Sequence, residues 1–291
     1  MENTQSLHHH ITENRLADAW ADLLNHPAGA TVTRANAYRL AFADPEFMLR
    51  RDTRGIRIQL EMLKPDLDQA EQGIHNTVVV FGSARFSSPE TAQESMKAAQ
   101  ASGDAQAIAL AQRHLRNAHH YDQARLFARL VASYSAEHAP EQRLYICTGG
   151  GPGIMEAANR GAHEMGAPTV GLNIALPHEQ EANPYVTPAL SFKFHYFAMR
   201  KMHFMMRAKA MVAFAGGFGT LDELFEVITL VQTRKAQPIP IVLFGSDYWK
   251  RLINTDVLLE EGVISPEDMK LLHYVDKPEA AWDVIKHFYA L

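Results

Sequence analysis

The sequence predicts an α/β protein with an open, doubly wound and mainly parallel sheet, preceded by a helical extension. Three observations carry that expectation. Short apolar runs alternate with helical patterns from Thr77 onward, most of the runs are apolar throughout, and three of the five end in glycine. Strands covered by helices on both faces read as unbroken apolar runs. Such strand–helix alternation puts ligands beyond the carboxyl ends of the strands.

The predicted strands are Thr77–Phe81, Leu144–Thr148, Thr169–Ile174, Met211–Ala215 and Ile239–Phe244. Helical patterns occupy Tyr121–Glu137, Ile154–Met165, Phe197–Lys209 and Leu221–Thr233, and Ala281–Tyr289 closes the chain. The first 75 residues have polar helical stretches (Ile11–Leu24, Asn36–Ala43, Ile56–Leu63) and no strand. They are read as a helical extension, 1–75, ahead of an α/β domain, 76–291. The Ala- and Gln-rich block Ser87–His120 reads as a helical insertion after the first strand.

Composition narrows the function. At 291 residues, 47% apolar and 21% charged, the chain is an ordinary globular one. Its net charge of −5 argues against a general nucleic-acid binder. No apolar run reaches the roughly 20 residues that span a bilayer, and MENTQSLHHHITENR lacks the basic and apolar blocks of a signal peptide. Cys147 is the single cysteine and sits in an apolar run, as a buried filler does. The expectation is a cytoplasmic protein with no membrane partner and no internal disulfide. His8–His10 reads as a tag fragment or a tail, and His195 and His203 stand eight residues apart, too far for a metal pair within one helical turn. No metal is expected.

The glycine turns carry the chemistry. Phe81-Gly82-Ser83, Thr148-Gly149-Gly150-Gly151 and Ala215-Gly216-Gly217 all fall on one edge of the sheet, where backbone N–H groups can hold an anion. Neither GGGPGI (Gly149–Ile154) nor AGGFGT (Ala215–Thr220) is a P-loop, since no G-K-[ST] follows. Neither fits G-x-G-x-x-G, since Ile154 and Asp222 stand in the final positions. Each turn alone could be a tight βα connection. Ser83 could cap a helix and Arg85 could be a solvated charge. Thr220-x-x-Glu223 ahead of an apolar run has the form of a capping box, and from that segment alone capping is the better reading. Asp222 and Glu226 suit a helix start for the same electrostatic reason. Upstream, Arg200 falls early on a predicted helix, where a guanidinium could grip phosphate or ribose.

Taken together, GGGPGIMEAANRGA, the R-K pair Arg200-Lys201 and GGFGTLDELFE resemble the Lonely Guy family, whose members are often labelled possible lysine decarboxylases. The family pattern P-G-G-x-G-T-x-x-E is matched from Gly216 to Glu223, with Ala215 in place of proline. The resemblance covers about Thr77 to Trp249, including FGSAR, GLNIALPHEQ and Gln232-Thr233; the extension and the insertion look like its longer bacterial branch. It implies a Rossmann-like homodimer or higher homo-oligomer that splits nucleoside 5′-monophosphates into free base and ribose 5-phosphate, with no resident cofactor. Arg200 and Glu223 would be catalytic. Ser83, Gly150, Gly151, Gly216, Gly217, Gly219, Thr220 and Lys201 would bind substrate and its phosphate. Alanine at 215 affects loop stiffness more than chemistry. A non-enzymatic carrier of a nucleotide or of molybdenum cofactor is the alternative. A pyridoxal-dependent decarboxylase would need a lysine with a distinctive setting, and the sequence offers none.

Overall fold

Val, Ile and Phe in unbroken runs produce the strands expected of them. The computed structural model describes residues 39–176 and 181–291. The predicted helix Ile11–Leu24, His8–His10 and the PHEQ of GLNIALPHEQ lie outside the described residues. The chain divides into two compact units, Met1–Leu60 and Glu61–Leu291. In the described part of the first, Asp44 caps the turn Pro45–Met48, accepting from the N–H groups of Glu46 at 3.0 Å and Phe47 at 3.3 Å. Ala41–Ala43 is a single 3-10 turn, not the last part of an α-helix.

The second unit holds a sheet of seven parallel strands among the described residues: β1 (Thr77–Phe81), β2 (Tyr145–Thr148), β3 (Thr169–Ile174), β4 (Ser191–Phe194), β5 (Ala208–Ala213), β6 (Ile241–Phe244) and β7 (Leu272–Val275). Their spatial order is β4-β3-β2-β1-β5-β6-β7. Sequence patterning finds five of these and misses the outermost two. β4 buries Phe192 and Phe194 but exposes Ser191 and Lys193, and β7 is only half-covered. Edge strands lack the continuous apolar run that marks the centre.

The helices are α1 (Arg54–Glu71), α2 (Pro89–Ser102), α3 (Ala105–Ala136), α4 (Ile154–Glu164), α5 (Phe197–Met206), α6 (Phe218–Gln232), α7 (Ser246–Leu252), α8 (Thr255–Glu260) and α9 (Pro278–Tyr289). Ser87–His120 is helical as expected. It consists of α2, capped by Ser88 and ended by Gly103 at φ +69°, and the first half of α3. The predicted helix at Tyr121 is the second half of that same 32-residue helix, which has neither Gly nor Pro to interrupt it.

Alternate residues of β1 enter two separate cores. Val78 and Val80 pack with Phe127, Val131, Ile154 and Ile285 from α3, α4 and α9. Val79 and Phe81 pack with Phe204, Leu224, Val227 and Trp249 from α5, α6 and α7. Both faces are therefore covered, as the apolar runs require. Strand order reverses between β1 and β5, the switch point where α/β sheets open a ligand crevice. The glycine turns after β1 and β5 leave from that point, and the Phe214 and Ser83 N–H groups extend the strand pairing to Phe81 and Ala215 carbonyls.

Candidate active site

The turn after β5 is the most open of the three. Gly217, Phe218 and Gly219 are exposed, and α6 begins at Phe218 with Gly217 as its cap and no side-chain capping bond. The capping box is therefore not formed. The helix starts three residues before Leu221, which places Thr220 inside its first turn and Glu223 in the next. The first-turn N–H groups have no partner within the helix and point outward with the positive end of its dipole. Thr220 is buried and packs its side chain on Gly216. A Cβ at Gly216 would fall on that side chain. Gly216→Ala is thus expected to lower stability by about 1–3 kcal/mol, measurable by thermal melting.

Glu223 lies five residues beyond Phe218, about 7 Å along the helix axis. It is 7% exposed. Its Oε1 stands 4.0 Å from Nη1 of Arg200, an ion pair without hydrogen-bond contact. Burial pushes the Glu223 carboxyl up to about 7, against the opposing pull of Arg200 and Lys201. Arg200 is held in turn: Nε donates to the Leu172 carbonyl at 2.8 Å, and the guanidinium lies 5.2 Å from the Phe204 ring. Its Nη2 also packs so closely on Gly149 that a Cβ there would stand 2.7 Å away. Burial lowers its affinity for a proton while Glu223 restores part of it.

The other expected residues divide. Lys201 points to Asp222 at 2.9 Å and to Glu226 at 2.7 Å. Burial alone would lower its ammonium, but the bonds to Glu226 and Asp222 win and raise it. Asp222 and Glu226 therefore neutralise a lysine on the neighbouring helix. Gly150 and Gly151 are buried, and the Gly150 N–H is committed to Thr148 Oγ1 at 2.9 Å. Their carbonyls accept from the Asn183 side chain, at 3.1 Å and 3.0 Å. This turn is thereby built into the wall of the site. Gly153, at φ +75°, approaches the Ser83 carbonyl too closely for any side chain. Ser83 Oγ accepts from the Arg85 N–H at 3.1 Å, and Arg85 is exposed. His195 precedes α5 rather than lying on it. Among the described residues no cluster of His, Cys, Asp or Glu could hold a metal ion, and no helix is long and apolar enough to cross a membrane. Cys147 is buried and its thiol is pushed up by desolvation.

Some contributors carry no mark in the sequence. Tyr248, on α7, donates its hydroxyl to the Gly216 carbonyl at 2.5 Å and fixes the glycine turn from the side. Asn173 packs against Gly150 and donates to the Phe192 carbonyl at 3.2 Å. Only the packing of β3 and β4 reveals it.

Residues 155–285 match the family described as possible lysine decarboxylase. The chain is 31% identical over 127 residues to an Oryza sativa subsp. japonica protein named probable cytokinin riboside 5′-monophosphate phosphoribohydrolase, a match covering 43% of this chain and 50% of that protein. It is 29% identical over 144 residues to an Arabidopsis thaliana cytokinin riboside 5′-monophosphate phosphoribohydrolase, covering 48% of this chain and 64% of the relative. The matches thus span between about half and two thirds of those relatives' length. Among solved structures, the molybdenum cofactor carrier protein of Chlamydomonas reinhardtii is 17% identical over 74% of this chain and 99% of its own, with a TM-score of 0.41. That likeness is too loose to bear on function.

Proposed function

We propose that this chain, a Lonely Guy family protein by its motifs and its relatives, hydrolyses the N-glycosidic bond of nucleoside 5′-monophosphates, of the AMP or N6-modified AMP type. The observation that carries the reading is the buried Arg200–Glu223 pair, set one and a half turns below an uncapped, glycine-lined helix start. A 5′-phosphate at the first-turn N–H groups would extend its ribose along α6 toward Glu223. Positive charge grows at the anomeric carbon as the C1′–N bond breaks, and a fixed carboxylate in a dry site stabilises it. Glu223 also accepts a proton from the attacking water, whose oxygen bonds to C1′. The departing base takes up a proton from solvent and Glu223 then returns its own to solvent, so that free base and ribose 5-phosphate leave. Phosphate binding holds the sugar in register and supplies remote binding energy to the reacting bond.

Glu223 acts here as a carboxylate. With its carboxyl raised to about 7, the acidic limb of kcat should lie near neutrality, activity rising with pH through that region. A pH series of base release at saturating nucleotide measures this, and a limb near the ordinary carboxylate range would contradict the assignment. A chromatographic panel of purine and pyrimidine monophosphates tests the function itself. Nucleotide bound without any base released would favour a carrier.

Lys201 does not suit a Schiff-base lysine, which needs a depressed ammonium rather than one raised by two carboxylates. For partners, the reading includes a second copy of this chain. Phe197, Met202, Met206, Phe218 and Phe225 are exposed apolar side chains on α5 and α6, with Phe218 at 91%.

A further inference from the structure

The helix that carries Arg200 is capped from outside itself. Tyr196 stands at the cap position of α5 without a side-chain capping bond, and the first turn contains no acid. Backbone donors at a helix start need an acceptor, and the positive end of the dipole favours an anion. Glu61 supplies both. Its Oε1 accepts from the His195 N–H at 2.8 Å, and its Oε2 accepts from the Tyr196 N–H at 3.1 Å. The Glu61 carbonyl also meets His203 Nε2 at 3.0 Å.

A second clamp holds the other end of the helix. Arg207 donates from Nε to the Ile74 carbonyl at 2.8 Å and from Nη2 to the Asp66 carbonyl at 3.0 Å. Its Nη1 pairs with the Asp66 carboxylate at 2.6 Å. Arg200 sits between the clamps, and its N–H bonds to the carbonyl of Tyr196, the residue that Glu61 holds. The guanidinium then reaches Glu223 at only 4.0 Å. At that separation a helix shift of about 1 Å changes the attraction by about a fifth.

We propose that Glu61 is a positioning residue for the glycosidic site: by fixing the first turn of α5 it sets the spacing of Arg200 from Glu223. The proposal rests on the hydrolase reading for its kinetic consequence, though not for its geometry. The charged groups facing Glu223 are Arg200 and Lys201 from α5 and Asp222 and Glu226 from its own helix. Of these, Arg200 and Lys201 move if α5 moves, and both favour the ionised carboxylate. Losing the Glu61 cap therefore raises the carboxyl of Glu223 further.

Glu61→Gln keeps the side-chain length but replaces one acceptor with a donor and removes the charge. It is expected to lower kcat about 10- to 100-fold, through misplacement of Arg200, with little change in KM. The acidic limb should move to higher pH, and Glu61→Asp should restore part of both effects. Arg125→Ala breaks the Arg125–Glu164 pair between α3 and α4 and serves as the comparison. It should lower the melting temperature without moving the limb. Glu61 variants that match wild type in kcat and limb per folded molecule would overturn the proposal. If wild type releases no base from any nucleotide, the hydrolase reading falls, but the geometry is still decided. Carbon-13 NMR titration of the Glu223 carboxyl should show a higher midpoint in Glu61→Gln, and an unmoved midpoint would overturn the positioning role.

Discussion

Glu223→Gln is expected to abolish base release while leaving nucleotide binding intact and making the folded chain more stable above neutral pH. The amide keeps the size of the side chain and cannot stabilise an oxocarbenium-like centre or take a proton from water, so kcat should fall about a thousandfold. In the proposed reading the 5′-phosphate sits on the first-turn N–H groups of α6, which the change does not touch. The stability effect follows from the sign of the shift. Glu223 holds its proton more tightly folded than unfolded, so ionising it in the fold carries a penalty. That penalty is absent well below the ordinary carboxylate range, grows as pH rises, and is complete above about 7. Removing the ionisable group should therefore gain about 1–2 kcal/mol at alkaline pH and nothing in acid. Loss of the partner charge beside Arg200 offsets some of that gain. Melting curves of both proteins across the pH range test this. Curves that stay parallel would mean that Glu223 is not the desolvated acid the geometry describes.

Arg200→Ala should have the opposite effect on stability and a similar one on activity. The side chain bonds the Leu172 carbonyl, stacks on Phe204 and fills the space against Gly149, so its removal loses packing as well as charge. It also strips a buried carboxylate of its main counter-charge, a loss of about 2–4 kcal/mol at alkaline pH. In acid the carboxyl takes up a proton and the loss should shrink. kcat should fall about 100- to 1000-fold, because Glu223 is then largely neutral near pH 7 and the ribose loses a guanidinium contact. Arg200→Lys should recover little, since an ammonium cannot bond the Leu172 carbonyl, cover the Phe204 ring and face Glu223 at once. The double variant Arg200→Ala, Glu223→Gln should be more stable than the sum of its parts, and full additivity would mean that the two charges do not interact.

The central strands, most of the helices around them and the glycine turns are legible in the sequence because each depends on local chemistry; α7 and α8 are not. Val, Ile and Phe in runs need cover on both faces, and glycine clusters mark close backbone approaches. β4 and β7 escape notice because an edge strand is only half-covered and lacks the run. The start of α6 is misplaced for a related reason. Thr220 and Glu223 have the right spacing for a capping box, but Thr220 packs onto Gly216, and the helix begins among the glycines instead.

The sequence by itself determined the parallel sheet, the edge on which its turns gather, and the residue types that meet there. Only the tertiary structure decided what each charge does. Lys201 meets Asp222 and Glu226, Gly150 gives its N–H to Thr148, and Arg200 pairs at 4.0 Å with a Glu223 whose proton is held by burial. Glu61 reaches the start of α5 from 134 positions away. Local propensity acts over a few residues, whereas ionisation and charge pairing depend on distance and desolvation, which exist only once the chain has folded.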